Sequence, residues 1–280
     1  MIRPVLRPMP PPDDARDRPG LMARLHHKLA TYLPVSPFNA TSDAPAVSFT
    51  FDDVPVSAAT AGAGLLEEHG ARATFYVAGG MLGAKDDHWQ VIGPDAVVDL
   101  HARGHEIGCH SHSHVRADQM TGAEMQTDIL RNRTLLKGIE PSLPLRNFAY
   151  PYGLSTLGWK NRLKKHFRSS RSIRPCLNEG VTDAQYLHAV PLIEREIDAG
   201  RIDRIFAETA RKKAWLIFYS HDVADRPSDY GCSPGLLRHA LRSAQRFGLN
   251  VETVNAALSR IGGRIGTRIG QVWLLALPLI

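Results

Sequence analysis

Short apolar runs alternate along the chain with longer segments in which apolar residues recur at helical spacing. From about residue 45 this pattern predicts a strand at Ala46–Phe51, a helix over Ser57–His69 and a second strand at Ala73–Ala78. Such alternation is typical of parallel strands that are joined by helical crossovers.

The alternation continues to about residue 261. Further helices are predicted at Asp95–Arg103, Thr121–Lys137, Ile202–Lys212 and Pro234–Phe247, further strands at Gly104–Cys109, Asn147–Tyr150 and Trp215–Tyr219, and a last strand and helix within 251–261. The Thr121 to Glu124 spacing is that of a capping box. Residues 168–197 indicate only short strands and loops. About seven strand and helix units predict an α/β fold, a distorted (β/α) barrel in a single domain.

The ends of the chain differ from this central part. Residues 1–40 are predicted to be a disordered leader followed by an amphipathic helix over Leu21–Leu33, which either packs on the domain or lies on an anionic membrane surface. The catalytic domain is expected over 45–262. An apolar tail at 263–280 is too short to cross a bilayer.

Composition narrows the class of protein. The chain has 280 residues, is 43% hydrophobic and carries a net charge of +6, with Lys and Arg spread along it and no nucleic-acid motif. We therefore expect no nucleic-acid partner. Three cysteines without paired spacing favour reducing surroundings, and no secretory signal pattern opens the chain. The expected location is the cytoplasm, with peripheral membrane contact as an alternative.

Candidate chemistry is concentrated in two motifs. Asp52 and Asp53 follow the first predicted strand, and His110 and His114 stand four residues apart. On a helical turn both imidazoles would project from one face, with His112 turned away, either at the surface or behind the ligands. Two histidines and one carboxylate can hold a catalytic zinc, although the same set also suits cobalt or iron. The second carboxylate is then available as a base.

Four motifs fall where predicted strands end: 52–53, 110–114, 151–153 and 220–222. In a parallel barrel the catalytic groups gather at this edge, so one shared site is predicted.

These motifs resemble those of the polysaccharide deacetylase family, also called carbohydrate esterase family 4 or the NodB homology domain. The resemblance covers about residues 45–260. Its motifs are Thr50-Phe-Asp-Asp53, Ala73-Thr-Phe-Tyr76, Gly104-His-Glu-Ile-Gly108 with His110-Ser-x-x-His114, Phe148-Ala-Tyr-Pro-Tyr-Gly153 and Tyr219-Ser-His221. Members of the family remove acetyl groups from glycans such as chitin oligomers, peptidoglycan and xylan.

The resemblance implies a role for each matching residue. Asp53, His110 and His114 would bind a divalent metal, usually zinc. Asp52 would be the general base, and His221 the general acid that protonates the departing sugar amine. The backbone N–H of Tyr152 would help to stabilise the oxyanion.

Three positions depart from the family pattern. Many members have an arginine that contacts the base where this chain has Ala149, so either Arg146 or no arginine supplies that contact. Tyr219 stands where a leucine often lines the acetyl pocket. The segment 168–179 lacks the Asp-Trp motif that supports the catalytic histidine in other members.

The leading hypothesis is thus a metal-dependent hydrolase that removes an N-acetyl or O-acetyl group from a sugar in a glycan, an oligosaccharide or a lipid-linked precursor. A second is an amidohydrolase acting on another small C–N substrate, such as a cyclic ureide, an imide or a formamido sugar. A third is a glycan-binding protein without catalysis. The sequence does not indicate the oligomeric state.

Overall fold

The computed structural model describes residues 21–85 and 87–262. Its helices are α1 (Leu21–Tyr32), α2 (Ala63–Glu68), α3 (Pro94–Ala102), α4 (Gly122–Ile139), α5 (Leu157–Leu163), α6 (Ala199–Lys212), α7 (Pro234–Arg246) and α8 (Val254–Gly262). Its strands are β1 (Pro37–Asn39), β2 (Ala46–Asp52), β3 (Thr74–Val77), β4 (Glu106–Cys109), β5 (Asn147–Ala149), β6 (Ser169–Arg171), β7 (Val181–Asp183), β8 (Val190–Pro191), β9 (Trp215–Ser220) and β10 (Asn250–Val251). The predicted leader and apolar tail lie outside the described residues.

In the described part of the chain, seven parallel strands form the main sheet, in the order β6-β5-β4-β3-β2-β9-β8, and β10 pairs with the start of β2. The sheet is curled. Residues 187–190 link the two ends of the sheet. Leu187 pairs with Arg171 of β6 at one end, and Val190 of β8 pairs with Phe218 of β9 at the other. The predicted distorted barrel in a single α/β domain is therefore confirmed. Strands β1 and β7 form a separate antiparallel pair.

Strand β2 explains how the site is placed. All seven of its residues are buried, as expected for a central parallel strand covered on both sides. Val47, Phe49 and Phe51 belong to the largest apolar core, which they share with residues of α2, α3, α6 and α7. Because side chains alternate along a strand, Asp52 belongs to the opposite face, inside the barrel. The apolar side chains that pack against the helices thus fix the position of the polar side chains inside the barrel.

Buried polar groups satisfy one another inside the barrel. Asn147 donates a hydrogen bond to Glu106 (2.5 Å), Ser169 donates to Asn147 (2.8 Å), and Thr74 donates to Glu106 (2.8 Å). The backbone N–H of Asn255, at the start of α8, also donates to Glu106 (2.9 Å). Hydrogen bonds of this kind offset the cost of burying polar atoms.

Helix α1 covers the predicted amphipathic segment and packs against the domain. Lys160 of α5 donates to the carbonyl oxygens of Ala30 and Leu33, each at 2.6 Å, and forms an ion pair with Asp183 at 2.5 Å. This buried ammonium group satisfies carbonyl groups at the end of α1 that have no partner within the helix. Among the described residues, none of the helices combines the length and the hydropathy that a membrane crossing requires.

Candidate metal centre and active site

The two adjacent carboxylates point in different directions because the backbone turns sharply after β2. Asp53 and Val54 have positive φ angles of 57° and 53°, a conformation that is uncommon for residues other than glycine. Asp52 faces Arg171, whereas Asp53 faces His110 and His114. Both carboxylates are almost fully buried, with 4% and 6% of their surface exposed. The turn gives each carboxylate a different set of neighbours.

The two predicted histidine ligands lie on a loop, so the expected helical turn is wrong. His110 directly follows β4, and Ser111 and His114 have positive φ angles of 63° and 52°. Asp128 of α4 holds the loop, since its carboxylate accepts hydrogen bonds from the backbone N–H groups of His112 (2.7 Å) and Ser113 (3.1 Å). The i, i+4 spacing brings the imidazoles together through this fold of the loop. Sequence reasoning missed Asp128.

Asp53, His110 and His114 converge on one point. One ligand atom from each lies within 4.8 Å of the others, and both histidine Nε2 atoms approach Asp53 Oδ1, at 3.7 Å for His110 and 3.4 Å for His114. Nδ1 of His110 lies 2.9 Å from the carbonyl oxygen of Ala149. A carbonyl only accepts hydrogen bonds, so Nδ1 carries the proton and Nε2 keeps its lone pair for the site.

The ionisation of these histidines also fits a metal ligand set. Burial lowers the pKa of His110 to about 3, and burial likewise lowers the pKa of His114. Both imidazoles are therefore neutral at pH 7, which is the form that binds a metal. The residues present fit a divalent cation held by two nitrogens and one carboxylate.

Asp52 is held by an arginine from β6, a strand that does not pair with β2, which corrects the expectation of Arg146 or no arginine. Arg171 ends β6, and its Nη2 lies 2.5 Å from both carboxylate oxygens of Asp52. Arg171 is fully buried, and its guanidinium group lies between the rings of Tyr76 and Tyr219, 5.3 and 5.5 Å from their centroids. Such stacking suits a planar cation that has left water.

The charge of Asp52 depends on this arrangement. Burial by itself would raise the pKa of the carboxyl group. The nearby guanidinium of Arg171 and the imidazoles of His110 and His221 outweigh burial, so the pKa lies below its ordinary value. Asp52 is therefore ionised at neutral pH and can accept a proton.

His221 reaches the same centre from the end of β9. Its Nε2 lies 3.9 Å from Asp53 Oδ2, and its Nδ1 lies 3.3 Å from the carbonyl oxygen of Tyr230. The ring of Trp89 stacks on the imidazole at 5.4 Å between centroids and 24° between planes, and the Tyr230 ring lies 5.7 Å away. A backbone carbonyl and two aromatic rings thus support a histidine for which the sequence offered no Asp-Trp motif.

Tyr152 lies in the turn that follows β5, the short 3-10 segment Pro151–Gly153. Its φ angle is 56°, and its ring centroid is 4.8 Å from that of His114. The residue is 51% exposed, so it stands at the mouth of the site. All six predicted site residues therefore gather at the carboxyl edge of the sheet, with Arg171 as an addition.

A family model described as polysaccharide deacetylase matches residues 39–167. Over this region, which is a little under half of the chain, the sequence is similar to polysaccharide deacetylases. The matched region includes Asp52, Asp53, His110, His114 and Tyr152. Arg171 and His221 lie beyond it, so their place in the site rests on geometry.

Solved structures of polysaccharide deacetylases share the fold. A chitin deacetylase from the fungal pathogen Colletotrichum lindemuthianum is 18% identical, with a TM-score of 0.58 and coverage of 79% of this chain and 90% of that one. A family 4 carbohydrate esterase from Streptomyces lividans, in complex with acetate, is 17% identical (TM-score 0.53; 74% and 91%). The Bacillus subtilis family 4 carbohydrate esterase PdaA is 15% identical (TM-score 0.53; 85% and 89%). No curated protein matches the sequence.

Ala149, where many polysaccharide deacetylases have an arginine, lies beside Arg171 in the sheet. The two residues are paired in register on β5 and β6. The guanidinium of Arg171 thus reaches Asp52 from one strand further along the sheet than an arginine at position 149 would. Tyr219, expected near an acetyl pocket, is 4% exposed and packs on this guanidinium.

A cleft of about 550 Å³ lies on the side of the site where Trp89 stacks on His221. It is lined by three segments, 55–60, 87–90 and 222–228, and Trp89 belongs to its wall. The volume is within the range of small-molecule sites, roughly 300–1,000 Å³.

Proposed function

We propose that this chain is a metal-dependent hydrolase that removes an N-acetyl or O-acetyl group from a sugar of a glycan, an oligosaccharide or a lipid-linked precursor. One observation carries the proposal: an ionised buried carboxylate, a triad of metal-ligand type and a histidine surround one point at the carboxyl edge of the sheet. The proposed acetylated substrate is supported by the family match and by relatives that are named deacetylases.

A divalent metal, for which we propose zinc, would be held by Asp53, His110 and His114 and would supply Lewis-acid chemistry at the acyl carbonyl and the attacking water. Asp52 accepts a proton from that water as its oxygen bonds to the acyl carbon. The backbone N–H of Tyr152 donates a hydrogen bond to the oxyanion that develops. Arg171 keeps the base ionised and oriented.

Breaking of the C–N bond is assigned to the opposite side of the site. His221, when both of its nitrogens carry protons, donates the Nε2 proton to the departing amine, while Tyr230 fixes Nδ1 through its carbonyl oxygen. The products are acetate and the free amino sugar. This proton transfer matters most for an amide, because an unprotonated amine is a poor leaving group.

The direct test is acetate release by the purified protein with added zinc or cobalt. N-acetylglucosamine, its β-1,4-linked oligomers and O-acetylated xylan are the substrates. Acetate from at least one of them is expected, and loss of one acetyl group should appear by mass spectrometry. If none of them loses acetate while metal is bound, the substrate proposed here is wrong.

The metal assignment has its own control in the same loop. His110→Ala should lower the bound zinc measured by elemental analysis, because it removes one of three ligands. His112→Ala should keep the metal, since the backbone N–H of His112, rather than its ring, contacts Asp128. Equal zinc content in the two variants contradicts the ligand set.

A further inference from the structure

We propose that the outer face of α1 docks on the surface of an anionic phospholipid bilayer. This face, which we call the α1 stripe, consists of Lys28, Leu29, Tyr32 and Leu33. The inference goes beyond the proposed hydrolase function, because it concerns a surface outside the candidate metal centre. Two observations support it: exposed apolar side chains on α1, and an excess of cations on the helix that packs beside it.

The α1 stripe is exposed along one side of the helix. Leu29, Tyr32 and Leu33 are 40%, 64% and 45% exposed, and Lys28 is exposed beside them. At 3.6 residues per turn these four positions fall within about 140° of the helix circumference. The other side packs on the domain, where Ala30 is fully buried. A docked helix that still presents several large apolar side chains together is typical of an interaction surface.

The surroundings of the α1 stripe are cationic. Residues 21–42 and 141–178, which contain α1 and α5, include no Asp or Glu, and the second stretch has eight Lys and Arg residues. Lys160 of α5 joins the two helices. Lys164 is exposed one turn further along the same face of α5. The guanidinium of Arg174 lies 5.3 Å from the centre of the tyrosine ring in the stripe.

Carboxylates from other segments do not cancel this charge. Asp118 and Asp183 approach α1, but each is already in an ion pair, with Arg116 at 2.7 Å and with Lys160 at 2.5 Å. Lys160 and Arg171 are buried in their ion pairs, so they add nothing to the outer charge. The cations that remain exposed near the stripe therefore give this surface a positive sign.

The combination of leucine, tyrosine and exposed cations selects the partner. An interfacial helix inserts its apolar side chains at the boundary of headgroups and acyl chains, while lysine and arginine meet anionic headgroups. Tyrosine favours the level of the headgroups, because its ring is apolar and its hydroxyl is polar. An anionic polymer in water would attract the same cations, but it would leave the two leucines exposed. A bilayer accommodates both kinds of side chain.

The α1 stripe lies close to the mouth of the candidate active site. Nδ1 of His27 is 3.3 Å from the carbonyl oxygen of Ser155. Ser155 comes two residues after Gly153, in the turn that carries Tyr152. A bilayer in contact with α1 is thus near the entrance, which suits the lipid-linked substrate included in the proposed function.

Two matched pairs of substitutions test the surface in the full chain. The α1 pair is Leu29→Glu with Leu33→Glu. The α4 pair is Leu130→Glu with Leu135→Glu, at leucines that are 45% and 38% exposed and lie outside both acid-free stretches. Each pair replaces two helical leucines of similar exposure by two carboxylates, so the two variants differ in where the charge is placed.

The measurement is co-sedimentation with vesicles of phosphatidylcholine, either pure or with about 30% phosphatidylglycerol. The wild type and the α4 pair should bind the anionic vesicles at least about tenfold more tightly than the neutral ones, and the α1 pair should lose at least about tenfold in this binding. A wild type that does not bind, or an α1 pair that binds as tightly as the α4 pair, overturns the inference. The second result would place the contact elsewhere, for example in the apolar segment 272–280.

A milder variant keeps the test decisive if the α1 pair does not fold, as judged by circular dichroism. Lys28→Gln with Lys164→Gln leaves the apolar side chains in place and removes two cations. Binding to the anionic vesicles should weaken at least about threefold, because each lysine near the surface contributes to the attraction. Unchanged binding refutes the anionic partner. Neither measurement uses acetate release, so the docking surface and the proposed function fail separately.

Discussion

The two sides of the site hold their catalytic candidates in different ways. On the base side, Asp52 is buried against the guanidinium of Arg171, which is itself enclosed by Tyr76 and Tyr219. On the acid side, His221 is only partly buried, and a neutral carbonyl and the ring of Trp89 support it. The base side depends on an ion pair that is buried away from solvent. The acid side depends on packing near the surface.

This difference follows from what each group has to do. A base that must stay ionised away from solvent needs an opposite charge, because burial alone would raise its pKa. An acid must meet a leaving group that arrives with the substrate, so part of its surface stays open. Substitutions should therefore cost stability on the base side and mainly activity on the acid side.

The largest effect is expected from Arg171→Ala. It leaves the Asp52 carboxylate buried without its cation, which should cost about 3–5 kcal/mol in the free energy of unfolding. Acetate release should fall at least about 100-fold, because the base loses both its orientation and its low pKa. Urea unfolding at pH 7 and initial rates measure the two losses.

A rescue variant distinguishes this role from general damage. Ala149 is paired with Arg171 on the adjacent strand, so Ala149→Arg added to Arg171→Ala returns a guanidinium from the next strand. Partial recovery of both stability and activity is expected. If Arg171→Ala unfolds at the wild-type urea concentration and keeps its activity, the assigned partnership is wrong.

The sequence predicted the acid side of the site better than the base side, where Arg171 was missed. Strand patterns located β2, β4, β5 and β9, and the rule that catalytic groups gather at the carboxyl edge brought six residues together. Arg171 was missed because its contact with Asp52 joins residues 119 positions apart. Its approach depends on the register of β5 and β6, which no local pattern encodes. The available signal was one arginine among the small residues Ser169, Ser170 and Ser172 in a weakly patterned stretch.

The local backbone geometry at the histidine ligands also could not be predicted from the sequence. The spacing of His110 and His114 indicated a helical turn, yet the chain forms a loop with positive φ at Ser111 and His114. The spacing correctly predicted that the two imidazoles lie together, but it wrongly attributed this to a helical turn. The carboxylate of Asp128 supplies that cause from α4, where the pattern indicated only a helix.

On the acid side, His221→Ala should separate two kinds of substrate. Hydrolysis of an N-acetyl group should slow about 100- to 10,000-fold, since the amine then leaves without a proton. An O-acetyl sugar should lose much less, because an alcohol is the better leaving group. Rates on paired N- and O-acetyl substrates provide the measurement.

Asp52→Asn is the control for that experiment. The base activates water for either substrate, so this variant should slow both reactions alike. If His221→Ala also slows both reactions to the same extent, the histidine does not act as the acid.

A smaller effect is expected from Trp89→Ala. Removing the ring that stacks on His221 leaves the imidazole less well oriented, so kcat on a monosaccharide should fall about tenfold. KM for that monosaccharide should stay nearly constant, and Trp89→Phe should retain most of the rate because a stacking ring remains. A change in KM alone would assign Trp89 to substrate binding only.

The smallest predicted effect is the loss of stability as buried groups become protonated at falling pH, and the order in which they do so. Burial lowers the pKa of His188 to about 4, whereas an unfolded histidine titrates near its ordinary value of 6.5. The folded state therefore binds fewer protons in this range, and stability falls as the pH drops from about 6.5 towards 4. The pKa of Asp52 lies below its ordinary 3.8, so the contribution of the base side is lost only under more acidic conditions.

His188→Gln tests this order because it removes one half-buried imidazole that is not among the candidate site residues. The single histidine contributes at most about 1.4 kcal/mol of lost stability per pH unit, and partial exposure reduces this value. Urea midpoints at about pH 7, 5.5 and 4.5 should therefore decline less steeply in the variant than in the wild type. Equal slopes would mean that other groups set the acid sensitivity. If Arg171→Ala instead removes the loss of stability between about pH 7 and 4.5, that loss comes from the base side. This result would contradict the predicted order.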